Sequence, residues 1–565
     1  MTDRLESGEA SPDLANEIAA RTPELEVRTS SASGGGVSVE VHGPELEELV
    51  AGAMTRLVGD GVAVSIAQQD ASVWGPEAAP EAAVRLGWLD CPTTSRAMLS
   101  RLDALRAEIL GAGLNHVVLA GMGGSSLAPE VITRTAGVEL TVLDTTDPQQ
   151  VRAAIADRLD ATVLVVSSKS GGTIETDSHR RAYEQAFRDA GIDPAERIIV
   201  VTDPGSPLET TATELGYRIV PADPNVGGRY SALTAFGLVP SALAGVDVDQ
   251  LLADAGEVAA TLGKAGSDPG LLLGAALGSA AVSGRDKAVI ADVGSGISGF
   301  GDWAEQLIAE STGKRGTGIL PVVVDGPEDA GATPAVDRHL LAVGPAPLED
   351  GTTVSGPLGG QFMVWEFATA VAGRVLGIDP FNQPNVQESK DNTAALLKEH
   401  AGGALPEGDP VFVEGPVAVY GDAALVGRSL AETLQRLLDA VPASGYLAVM
   451  AYLDRHAEAA AAGLRSALAA RTEHAVTFGW APRFLHSTGQ FHKGGPQVGA
   501  FLQITGAVGQ DLEIPGRDGL TFGRLQLAQA LGDLRALGQR GRPVVRLHLR
   551  DRAEGVATLL AAARG

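Results

Sequence analysis

The sequence predicts an α/β protein whose parallel sheets are covered by helices on both faces. Three observations lead there: short apolar, β-branched runs recur along the chain, helical patterns separate them, and glycine turns follow some of the runs. The first series holds His116–Ala120, Leu140–Leu143, Thr162–Val166 and Arg197–Val201, entered by a helix over Leu102–Leu110 and interrupted by another over Ala128–Thr133. A second holds Ala288–Asp292, Ile319–Val324 and His339–Val343, then a long helix over Gln361–Leu376. A third holds Val417–Tyr420, Leu447–Ala451, Phe501–Thr505 and Val544–Leu549.

A chain of 565 residues exceeds one ordinary core, so two or three domains are expected. The series place their boundaries. Residues 1–40 read as a flexible tail, because Thr22–Gly36 is rich in Ser and Gly and has no clear period. Residues 41–105 read as a helical segment opening on Leu46, Leu49, Val50, Met54 and Leu57. Two α/β domains are expected over 106–265 and 266–410, and a C-terminal α/β region over 411–565. The run Gly270–Gly284 is shorter than the ~20 residues of a membrane span and reads as a buried helix of small residues.

Composition narrows the function. Charged residues make up 20% and hydrophobic ones 44%, the profile of a globular enzyme. The net charge of −27 repels nucleic acid and anionic membrane, so neither is an expected partner. It also repels an anionic substrate at long range, so a phosphate site must be built from local donors. The single cysteine, Cys91, excludes an intrachain disulfide and a Cys-based zinc site, and reads as a small buried side chain. Met1–Ala20 carries Asp3, Glu6, Glu9 and Asp13 and no apolar core, so no secretory signal is read there and a cytoplasmic location is expected.

The chemistry concentrates in loops. Gly121-Met122-Gly123-Gly124-Ser125-Ser126 follows a buried strand and precedes a helix, where backbone N–H groups and the helix dipole suit a phosphate. Alone it half-matches a dinucleotide fingerprint, with Asp144 at a plausible ribose-binding position. The second loop, Ser167-Ser168-Lys169-Ser170-Gly171-Gly172-Thr173, points elsewhere. Hydroxyls, amides and one ammonium at the end of a neighbouring strand suit a terminal phosphate monoester, which a dinucleotide site does not need.

These two loops resemble the signature loops of sugar-isomerase (SIS) domains in the phosphoglucose isomerase arrangement. Gly227-Gly228-Arg229-Tyr230-Ser231 resembles that family's GGRYS segment. Gln306–Lys314 resembles the segment carrying its base, and Phe381–Lys390 the FDQxGVExxK segment with its lysine. Leu485-His486-Ser487-Thr488-Gly489-Gln490 resembles the LHSMGQ segment, but falls after Lys390 instead of shortly after the base. That order, with His486–Pro496 reading HSTGQFHKGGP, is similar to the isomerase part of bacterial transaldolase–isomerase fusions, although no transaldolase portion is apparent.

The resemblance implies two SIS-type domains, homodimers with active sites at the subunit interface, and reversible isomerisation of glucose 6-phosphate and fructose 6-phosphate. No cofactor or metal is implied. It makes Glu310 the base, Arg229 the enediolate partner, Lys390 the ring-opening cation and His486 the ring-opening acid/base, with His492 and His339 as rivals. Gly124, Ser125, Ser168, Lys169, Ser170, Thr173 and Gln306 are the candidate binding residues. The residues themselves agree with part of this. One carboxylate above C1 and C2 can move the proton. Gln306 and Glu310, four apart, share a helix face beside the apolar stripe of Trp303, Leu307 and Ile308. Asn385 and Glu388 read as the cap of the Lys390 helix. Two other functions stay open: a non-catalytic sugar-phosphate sensor, and a dual phosphoglucose/phosphomannose isomerase.

Overall fold

The computed structural model describes residues 30–264, 267–401 and 403–565. The expected α/β class is present, and among the described residues the strands form three sheets. In the first, the order is Thr141–Leu143, His116–Gly121, Thr162–Ser167, Ile198–Thr202 and Arg218–Pro221, all parallel. Its central strands are apolar on both faces because helices cover both sides.

The second sheet has a parallel core of Leu320–Val324, Lys287–Asp292, Arg338–Val343 and Gly351–Ser355. Antiparallel to its edge lie Val37–His42 and then Ser31–Gly34. The tail expected over residues 1–40 therefore fails at its end: Val37, Val39 and Val41 alternate with polar residues and bury one face. Residues 1–29 lie outside the described residues. The third sheet repeats the plan. Ala475–Trp480, Tyr446–Tyr452, Gly499–Gly506 and Val544–Leu549 are parallel, and Val417–Gly421 and Phe412–Glu414 close the edge antiparallel. The second and third sheets share a core, in which Val289, Ala291, Leu320 and Val322 meet Tyr446, Ala448 and Phe501.

The small-residue helix is Pro269–Val282, and it is buried. Its glycines Gly270, Gly274 and Gly278 sit four apart and face Phe367, Val371 and Val375 of helix Leu358–Leu376. A Cβ on Gly274 would lie 2.5 Å from the Val371 Cβ and 2.6 Å from the Ala368 carbonyl oxygen. Gly274→Ala is expected to cost about 1–3 kcal/mol by overpacking, read as a lower midpoint in urea at an unchanged slope. Among the described residues no helix is long and apolar enough to cross a membrane. Cys91 is buried and unpaired.

Candidate functional site

The loops after the strands of the first sheet, one helix of the second and one short turn of the third converge on a cleft of about 430 Å³. Every binding and catalytic residue singled out from the sequence lines it: Gly124, Ser125, Ser168, Lys169, Ser170, Thr173, Arg229, Gln306, Glu310, Lys390 and His486. All lie on this one chain.

Within the cleft the two glycine loops form a cup. Gly124 must be glycine, since a Cβ there would sit 1.8 Å from the Gly228 carbonyl oxygen. This contact seats the first loop on the GGRYS segment. In the second loop, Ser168 Oγ accepts from the Gly171 amide at 3.1 Å and Ser170 Oγ from the Gly172 amide at 3.2 Å. Ser167 Oγ is buried without a partner. Helix Ile174–Asp189 starts immediately after, and Thr173 makes no side-chain cap, leaving first-turn amides for an anion. Lys169 Nζ pairs with Asp203 at 2.6 Å.

The same cleft holds Glu310, half-buried on helix Phe300–Thr312. Gln306 Nε2 donates to Glu310 Oε2 at 3.0 Å and to the His486 carbonyl at 2.8 Å. The shared face read from the four-residue spacing is therefore real. Arg229 is buried, and its Nη1 lies 3.4 Å from Glu310 Oε1. Its Nε donates to Ser311 Oγ, Nη1 to Gln383 Oε1, and Nη2 to the carbonyls of Pro380 and Asn382. Five fixed N–H groups occupy one geometry here, which a flexible ammonium could not reproduce. Lys314 Nζ supports the same loop by donating to the Asp379 carbonyl at 2.6 Å.

His486 closes the cleft. Its Nε2 lies 3.0 Å from Glu175 Oε1, which also accepts from Gln529 Nε2 at 2.7 Å. Sequence reasoning missed Glu175. Burial alone would raise its carboxyl, but the charge and hydrogen bond of His486, helped by Lys390, hold it at about 2. Because this lies below the ordinary 4.5, its ionisation stabilises the fold fully above about pH 4.5. That contribution is lost as pH falls toward 2. Glu175→Gln is expected to flatten the acid limb of a stability-versus-pH curve between pH 4.5 and 2.

The rival histidines lie elsewhere. His492 is buried among Tyr446, Phe484 and Phe501, with both ring nitrogens unpartnered, and burial pushes its protonation well below the usual range. His339 is buried in the second sheet against Thr352, and burial, with Arg285, holds it at about 3. Asp144 is no ribose ligand: it is buried, accepts from Ser126 Oγ, and pairs with Arg483 at 2.6 Å.

Lys390 is exposed on helix Val386–Glu399, but the expected cap differs. The Asn385 side chain makes no cap bond; its Oδ1 accepts from Gln490 Nε2 at 2.9 Å, while its backbone N–H donates to Gln490 Oε1 at 2.8 Å. Glu388 pairs with Arg540 instead of closing a capping box. Tertiary partners outcompeted the local ones.

An α/β fold whose cleft gathers hydroxyls, backbone amides and a carboxylate held beside an arginine suits a small ligand that carries an anionic group. Two solved structures share the fold. A glucose-6-phosphate isomerase from Chlamydia trachomatis matches with a TM-score of 0.52 and 16% identity, over 67% of this chain and 92% of that one. A hypothetical protein from Thermus thermophilus matches at 0.51 and 23%, over 64% and 96%. In sequence, the phosphoglucose isomerase family model matches residues 104–318. A probable glucose-6-phosphate isomerase of Haloarcula marismortui is 34% identical over 254 residues, covering 43% of this chain and 56% of that protein. A glucose-6-phosphate isomerase of Synechococcus sp. is 33% identical over 258 residues, covering 42% and 47%. The chain thus spans about half the length of the curated relatives it matches. The resemblance read from the motifs holds, and it reaches the cup, Arg229 and Glu310; Lys390 and His486 lie beyond the matched model.

Proposed function

We propose that the protein interconverts glucose 6-phosphate and fructose 6-phosphate in the cytoplasm, as a homodimer, with no cofactor. One observation carries the reading. The hydroxyl-and-amide cup and the Glu310–Arg229 pair line a single cleft together with His486 and Lys390. The phosphate seats in the cup on Ser125, Ser168, Ser170 and Thr173. His486, oriented by Glu175, and Lys390 move the proton that opens the ring. Glu310 takes the C2 proton and returns it to C1 through an enediol, and Arg229 faces the oxygen on which charge develops.

The sensor alternative has no observation in its favour, because a sensor has no use for a base held between Gln306 and Arg229. A coupled assay of the purified full chain with fructose 6-phosphate, run beside mannose 6-phosphate, is the test. Turnover of the first supports the proposal, and turnover of both supports the dual enzyme. Binding without turnover would replace it with a sensor.

A further inference from the structure

The phosphate end of the cleft has a cation that no motif contains. Arg85, which follows the short helix Ala79–Ala82, lines the cleft beside Lys169 and Asp203. Its position is built. Leu86 forms an antiparallel bridge with Val226, the Gly87 amide donates to the Asn225 carbonyl at 3.2 Å, and the Arg85 stem lies over Gly227. Arg85 Nη1 and Lys169 Nζ converge on one acceptor, the Pro224 carbonyl oxygen, at 3.3 and 3.2 Å. Each cation also has a carboxylate partner, so what separates them is how firmly that partner holds its cation.

The partners of the two cations differ in what it costs to leave them. Lys169 is held by Asp203, a largely buried carboxylate whose Oδ1 has no partner. Burial raises the Asp203 carboxyl despite Lys169 and Arg85. Drawing Lys169 away would strand that group, so the pair stays. Arg85 is held by Glu81, a half-buried residue four positions earlier whose carboxylate is more open to water than that of Asp203, at 2.8 Å. Such i,i+4 pairs are weak and screened by salt, so releasing Glu81, already more than a third open to water, costs less than releasing Asp203. Resting on the phosphosugar reading of the cleft, we infer that Arg85 turns from Glu81 onto the incoming phosphate, making it a substrate-positioning residue supplied by the N-terminal helical segment. This also answers the charge problem posed by the composition. A chain of net charge −27 needs a local cation to admit a dianion, and Lys169 is neutralised by Asp203.

The test uses the full chain and three variants, Arg85→Gln, Arg85→Lys and Glu81→Gln. Arg85→Gln is expected to raise the KM for fructose 6-phosphate about tenfold, the loss of one charge-assisted hydrogen bond, with kcat within about twofold. The inhibition constant of inorganic phosphate should rise in parallel. Arg85→Lys should recover most of the loss, and Glu81→Gln should leave the KM unchanged or lower it. A wild-type KM in Arg85→Gln, or a raised KM without weaker phosphate inhibition, overturns the inference. If the wild type proves inactive, the isomerase reading fails. Titration of inorganic phosphate into wild type and Arg85→Gln still decides the Arg85 question, equal affinities counting against it.

Discussion

Glu310→Gln is expected to lower kcat for the isomerisation by roughly 10²–10⁴-fold, the usual worth of a positioned general base. The substitution is nearly isosteric and keeps an oxygen to accept from Gln306, so the helix has no reason to shift. Affinity for fructose 6-phosphate should change by less than about tenfold, because the phosphate cup lies on other loops. The sharpest readout is solvent isotope exchange at C2, which should vanish with turnover while binding persists. A variant that keeps wild-type exchange would remove Glu310 from the chemistry. Loss of binding together with turnover would instead mean that Glu310 holds the ligand.

Arg229→Lys should lower kcat by about 10²–10³-fold, the scale seen when a fixed donor is taken from a site of developing charge. A formal charge survives, so a purely long-range role would leave the rate nearly intact. The geometry argues against that. The guanidinium meets Ser311, Gln383, Pro380 and Asn382 at once, and an ammonium on a flexible stem cannot. The bared Pro380 carbonyl adds about 1–3 kcal/mol of instability. The variant should therefore melt earlier as well as turn over slowly. An unchanged kcat would show that Arg229 only braces the 380–383 loop.

Much of this site was legible from local sequence because its parts are loops that follow strands. Ser168, Ser170 and Thr173 are named by a glycine-interrupted hydroxyl run, and Gln306 with Glu310 by a four-residue spacing. What escaped depends on distance along the chain. Glu175 sits two residues past Thr173 at the start of a helix, where a carboxylate usually reads as dipole compensation. Only His486, 311 positions away, gives it another role. Arg85 escaped for the same reason, since its place is set by the Leu86–Val226 bridge. Asn385 misled in the opposite direction. A good capping residue met a better partner in Gln490. The strand Val37–His42 was readable, for its valines alternate cleanly, but the Ser/Gly-rich run before it masked the signal.

The reciprocal amide bonds between Asn385 and Gln490 have a dynamic consequence. Asn385 precedes the helix that carries Lys390, and Gln490 lies four residues beyond His486, which binds the carboxylate at the start of the phosphate-side helix. Any excursion that swings the lysine away from the cleft pulls on the imidazole's own stretch of backbone. The cation and the imidazole to which the proposed function gives the ring opening therefore keep or lose their alignment as one mechanical unit.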